Sequence, residues 1–139
     1  MVNVIDNIEL LPPLLAAPRA IALVAVPWSP WHAWSRRVLD ALESSRALWL
    51  PGGQVQFFVL WPERDEKLNP WYEELCQAHY PRFELHGHGY APLWWLAEGQ
   101  IMDCLTKPYE MSLEDLQQRS RRAFENNRAT ASLPRREHA

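Results

Sequence analysis

From His88 to Leu105 the chain reads His-Gly-Tyr-Ala-Pro, an apolar run from Leu93 to Ala97, the pair Glu98-Gly99, and a second run from Gln100 to Leu105. Two short β-prone runs joined by a two-residue turn that contains glycine describe an antiparallel hairpin. Pro92 stands at the head of its first strand, where a residue without an N–H does not interrupt a ladder. An X-Pro bond at that place can be cis at modest cost, and a fixed cis bond presents its flanking backbone in an orientation that receives an extended peptide. A hairpin needs further strands, and the rest of the chain is read for them.

Ala20 to Val26 is short and continuously apolar, which suits a central strand covered on both faces. Ser29-Pro30 then reads as an N-cap followed by proline at the first helical position, where its missing N–H costs nothing. The helix is expected to run to about Ser45, with Trp31, Trp34, Val38 and Leu42 on its apolar side. Pro51-Gly52-Gly53 is a turn, and Val55 to Trp61 a second strand closed by Pro62. Strand, helix, strand in this order implies a right-handed crossover and parallel pairing. Asn69-Pro70 repeats the cap-plus-proline pattern and predicts a helix to about His79, presenting Trp71, Leu75 and Ala78. Ser112 caps a last helix whose Leu113, Leu116, Ser120 and Phe124 fit against a sheet. The first 19 residues predict only a short helix or turn, ended by Pro12-Pro13.

A chain of 139 residues can bury one core without metals or disulfides. Residues 1–126 are expected to form that single domain, and residues 127–139, polar and without periodicity, a disordered tail. Six arginines against two glutamates in residues 117–139 make the end of the chain locally basic, although the net charge is −3. No aromatic ladder or nucleic-acid motif accompanies that charge, so a solubilising role is expected in preference to nucleic-acid binding. No stretch approaches the ~20 apolar residues of a membrane span, and the opening Met-Val-Asn-Val-Ile-Asp lacks the basic flank of a signal peptide. No membrane partner and a cytoplasmic location are therefore expected. Cys76 and Cys104 are the only cysteines, too far apart for a Cys-X-X-Cys site, and read as two free thiols or, less simply, as one structural bridge.

The apolar strand ending before Trp28-Ser29-Pro30-Trp31-His32, the helix that follows, and the much later Pro92 with its hairpin resemble the thioredoxin-like family over roughly residues 14 to 126. Trp28 matches the family tryptophan, whereas Ser29 and His32 fall where the two redox cysteines would stand. The resemblance implies an α/β fold with a central mixed sheet of about four to five strands flanked by helices, ending in a β-hairpin and a helix. It also implies that the Ala91-Pro92 bond is cis, and that the loops before the first long helix and before Pro92 meet at one end of the sheet.

In such a fold the first cysteine owes its reactivity to a helix N-terminus, which stabilises a thiolate; a serine there needs an adjacent base. His32 is the nearby candidate, but neither an orienting acid nor an oxyanion hole is identifiable, and Ser29 reads more simply as a cap. No catalytic residue is assigned. His86-Gly87-His88 would place two imidazoles on one face if extended, with His79 or Glu84 as further ligands, yet the spacing matches no zinc pattern. No metal or cofactor is assigned. The leading expectation is a redox-inactive module that binds a protein or extended peptide through Trp28, Ser29, Trp31, His32, Tyr90, Ala91 and Pro92. The alternative is glutathione-dependent or other thiol-disulfide chemistry. In the glutathione form Ser29 would hydrogen-bond a bound thiolate, as in the similar first domain of glutathione transferases; a third reading uses Cys76 and Cys104 for redox chemistry.

Overall fold

The computed structural model describes the backbone of residues 1–132 and the side chains of residues 1–125. Its strands are β1 (Val2–Ile5), β2 (Ala20–Val24), β3 (Gln56–Leu60), β4 (Leu93–Ala97) and β5 (Gln100–Leu105). Its helices are α1 (Pro12–Ala16), α2 (Pro30–Ser44), α3 (Arg46–Trp49), α4 (Leu68–His79) and α5 (Leu113–Ser132). The strands make one mixed sheet in the order β1-β3-β2-β4-β5. β3 runs parallel to both β1 and β2, with Ile21 opposite Phe57, while β4 runs antiparallel to β2 and to β5. The parallel β2–β3 pair needs a long crossover, and α2 with α3 supplies it.

Period-two alternation divides the core between the two faces of the sheet. Ala22, Phe58, Trp94 and Leu96 face Leu14 of α1 and Leu68, Tyr72 and Cys76 of α4. Ile21, Phe57, Val59 and Trp95 face Leu39 and Leu42 of α2, Trp49 of α3, and Leu116 and Phe124 of α5. The consecutive Trp94 and Trp95 therefore enter opposite layers, each with its indole N–H satisfied. Trp94 Nε1 donates to the Leu85 carbonyl at 3.0 Å, and Trp95 Nε1 donates to Ser120 Oγ at 2.9 Å. The hairpin turn is made as its sequence requires, with Glu98 at φ 51° and Gly99 at φ 79°, the paired left-handed geometry that matches strand twist.

Several local expectations are corrected. The N-terminal segment contains an edge strand, β1, and Pro12-Pro13 open α1 rather than end a helix, since a missing N–H is harmless in a first turn. α2 buries Ser35, Leu39 and Leu42 with Val38 part-buried beside them, so of the expected face Val38 and Leu42 pack on the core while Trp31 and Trp34 are turned outward. α4 starts at Leu68, one residue before Asn69, with no side-chain cap; it buries Leu68, Tyr72 and Cys76, with Trp71 and Leu75 part-buried against the same core and Ala78 exposed. Leu113 is exposed, while Leu116, Ser120 and Phe124 pack as read. α5 is described through Ser132, and residues 133–139 of the expected tail lie outside the described residues.

Among the described residues the cis peptide bond is Tyr80-Pro81, after α4, and Ala91-Pro92 is trans. Ala91 takes the change of direction in its own backbone, at φ 56°, just after Gly89 at φ 91°. The Pro92 ring packs against Gly87, where a Cβ would come within 2.5 Å of Pro92 Cδ. The Pro92 carbonyl accepts from Val24 N–H at 3.0 Å, which extends the β2–β4 ladder by one bond.

Candidate functional site

α2 begins where β2 leaves the sheet, and Ser29 is the hinge between them. With φ −95° and ψ 137° it is non-helical, and its Oγ accepts from Trp31 N–H at 3.2 Å, as an N-cap does. The same hydroxyl donates to the Gly89 carbonyl at 2.7 Å. That second bond joins the two loops expected to meet, so the head of α2 and the approach to β4 are fastened side by side. It also commits the hydroxyl proton. His32 Nδ1 accepts from Val26 N–H at 3.2 Å, which places the ring proton on Nε2 and leaves Nδ1 no lone pair for Ser29. Burial, then the nearby Arg36 charge, hold the imidazole pKa below its ordinary value of 6.5, so the ring is neutral near pH 7. A serine–histidine nucleophile is not assembled here; a buried cap and a neutral N–H donor are.

The seven residues singled out from the sequence come together but separate by depth. Ala91, Pro92 and Ser29 are buried, so Ala91-Pro92 is covered and does not form an open rim for strand addition. Trp28 and Trp31 retain 69 % and 40 % of their surface, and Trp34, one turn further along α2, retains 52 %. Trp31 stacks on Tyr109 at 5.0 Å between centroids and tilts against Tyr90 at 6.3 Å. Trp28 lies over Gly89, where an added Cβ would stand 3.1 Å from the indole edge. A side chain at residue 89 would lift this ring off its seat.

Further residues that the sequence reading passed over belong to the same surface. Tyr109 arrives from the turn between β5 and α5, and Lys107 lays its ammonium 4.3 Å from the Tyr90 ring. Trp61, at the end of β3, sits 6.2 Å from His32 with the Arg64 guanidinium 3.9 Å from its centroid. Arg37 lies 5.2 Å from Trp34. Only the clustering of Trp28, Trp31 and Trp34 was visible as a local signal; Tyr109, Lys107 and Trp61 reach the site through tertiary structure.

The two thiols lie elsewhere, on the α4 side of the sheet. Cys76 is buried in α4, and burial pushes its pKa up to about 11 despite an opposing hydrogen bond from Tyr72. Burial and the neighbouring Asp103 charge push Cys104 up to about 12. Both are free and protonated near neutrality, the reverse of what thiol exchange requires. His86 and His88 are brought together, though by a tight turn with His88 at φ 46° rather than by an extended strand. Their rings are 4.8 Å apart, and each meets a carboxylate: His86 Nε2 is 3.6 Å from Glu73 and His88 Nε2 is 3.0 Å from Glu84. His79 turns away to the Leu75 carbonyl. Among the described residues no group of three or more His, Cys, Asp or Glu side chains is arranged to hold a metal ion.

No protein-family model matches the sequence, and no curated protein matches it. Solved structures do. The thioredoxin of Malassezia sympodialis superposes with a TM-score of 0.59 at 12 % identity, over 88 % of this chain and 93 % of that one. The thioredoxin of Trypanosoma brucei brucei gives 0.54 at 10 % identity, over 90 % and 92 %. A mutant thioredoxin from Halobacterium salinarum gives 0.54 at 11 % identity, over 84 % and 85 %. At these identities the likeness speaks for architecture alone. The chain is a divergent protein of the thioredoxin fold, and its two cysteines, Cys76 and Cys104, form no Cys-X-X-Cys pair.

Proposed function

We propose that this protein is a redox-inactive thioredoxin-fold module that binds a protein or an extended peptide, using the aromatic surface at the head of α2. The observation that carries the reading is the exposure of Trp28, Trp31 and Trp34 together at the end of the sheet. Rings closing the end of a core would be covered, and contact surfaces are enriched in tryptophan and tyrosine. Tyr90 and Tyr109 brace Trp31, so a partner meets a ring already held in place. His32 adds an Nε2–H to this surface. Because Ala91 and Pro92 are covered, recognition runs through side chains, with stacking and the His32 donor in the place of strand addition.

The same geometry supports the redox-inactive part of this reading. Disulfide exchange needs a thiolate and a second thiol to resolve the mixed disulfide, and the surface presents a capped hydroxyl and an imidazole. Ser29 has no free hydroxyl proton with which to hold a glutathione thiolate.

The test is an affinity pull-down from cell extract with wild type and Trp31→Ala, followed by hydrogen-exchange mapping of the captured complex. Loss of a buried interface tryptophan costs ~2 kcal/mol or more, roughly thirtyfold in affinity. Capture by wild type alone, with protection at residues 28–32 and 89–92, is the expected result. A footprint elsewhere, or capture unaffected by the substitution, overturns the reading.

A further inference from the structure

Three of the rings around the head of α2 already carry a cation of this chain: Trp34 has Arg37, Trp61 has Arg64 and Tyr90 has Lys107. Trp28 is more exposed than any of them, yet among the described residues it has neither a cation over its face nor a ring against it. A groove starts beside it. A narrow hollow of about 70 Å³ is lined by Trp28, Gly89, Glu63, Glu73 and His86. Glu73 and His86 also line a neighbouring cleft of about 440 Å³, with Glu84, Tyr80 and His88. No lysine or arginine lines either part.

Three carboxylates thus follow one another along the groove without a Lys or Arg ion pair among the described residues. Glu73 and Glu84 meet only the imidazoles of His86 and His88, and Glu63 forms no ion pair there. An indole face with no cation on it attracts one, and carboxylates beside an apolar wall hold basic heads better than exposed ones do. The chain has placed its own guanidinium and ammonium groups on the neighbouring rings and left vacant the one ring that heads the acidic groove.

We propose that the segment recognised at this end of the molecule is basic. Resting on the peptide-binding reading above, this assigns the occupant as an extended stretch carrying lysine or arginine, with one cationic head on Trp28. Further basic side chains along the segment reach Glu73 and Glu84. The surface beyond Trp31 contacts the apolar parts of the same segment.

The experiment is selection from a phage-displayed library of random short peptides on immobilised wild type, with counter-selection on Trp28→Ala. Trp28 is exposed, so its truncation leaves the fold intact, which circular dichroism verifies. The expected result is a set of Trp28-dependent peptides enriched in Lys and Arg over the input library. A synthetic member of that set should bind the Glu73→Gln, Glu84→Gln double variant roughly fivefold to thirtyfold more weakly, and should weaken as salt rises. Trp28-dependent peptides without basic enrichment, or an affinity indifferent to the double variant, would overturn the basic occupant and leave the binding surface standing. Recovery of no peptide sensitive to either Trp28→Ala or Trp31→Ala would overturn both.

Discussion

Trp94 and Trp95 in the hairpin have no accessible surface, and their two N–H groups are bonded to Leu85 and Ser120. Trp28, Trp31 and Trp34 expose large fractions of theirs, and none of their indole nitrogens has a hydrogen-bond partner within the described residues. The residue type is the same and the segments are similarly rich in it. What differs is the backbone beneath. Alternation on a central strand drives one ring into each layer, whereas helical periodicity on α2 gives the buried side to Ser35, Leu39 and Leu42 and leaves the rings outside. Large aromatic area stabilises the fold in the first case and is held free for a contact in the second.

The sharpest way to break this contrast is truncation in the hairpin. Trp94→Ala and Trp95→Ala should each lower unfolding free energy by about 3–5 kcal/mol, because a large cavity opens in a layer that cannot collapse around it. Urea melts followed by far-ultraviolet circular dichroism measure this. A loss under about 1 kcal/mol would mean the two rings are not core.

Ser120→Ala probes the polar side of the same packing. Ser120 Oγ accepts from Trp95 and donates to the Leu116 carbonyl at 2.7 Å. Removing it orphans a buried indole N–H, which costs about 1–3 kcal/mol with almost no change in volume. Unchanged stability would show that the hydrogen bond contributes nothing net.

At the other end of the comparison, Trp28→Ala and Trp34→Ala should leave stability within about 0.5 kcal/mol of wild type, as exposed positions do. A loss of several kcal/mol from either would place that ring in the core after all and remove it from the binding surface.

The smallest effect concerns pH. The folded His32 ring holds its proton less tightly than the unfolded one, so the stabilisation it brings is present above about pH 6.5 and is lost as pH falls below that value. His32→Asn keeps an acceptor for Val26 N–H and removes the titration. The acid-side decline of the urea midpoint should be shallower in this variant, and an identical decline would assign it to other groups.

Much of the architecture was legible from residues alone. β2, the β4–β5 hairpin and the start of α2 each join a pattern to a chemical punctuation mark: an unbroken apolar run, a turn glycine, a serine before a proline. β1 had no such mark, being an edge strand with only Ile5 fully buried, so its alternation is faint. The apolar stripe of α2 was misjudged because tryptophans outweigh the small Ser35 in any reading by hydrophobicity. Ser35 is buried because a short side chain lets the helix approach the Tyr90 carbonyl. At the candidate site, Trp28 to His32 could be read because they are contiguous. The depth of Ala91 and Pro92, the brace from Tyr109 and the acidic groove depend on distant segments converging, and local sequence carries no trace of that.

The edge strand has a consequence for synthesis. Val2 to Ile5 emerge from the ribosome well before β3, their one strand partner among the described residues, whose Phe57 to Leu60 face them in register. β2 in turn borders β4, made later still. The nascent chain therefore leaves β1 unpaired until Leu60, somewhat under half of the 139 residues, has appeared, and sheet assembly waits on long loop closures. Ribosome-arrested chains ending before and after β3 would differ sharply in protease resistance, which makes β3 the segment whose arrival converts a soft intermediate into a sheet.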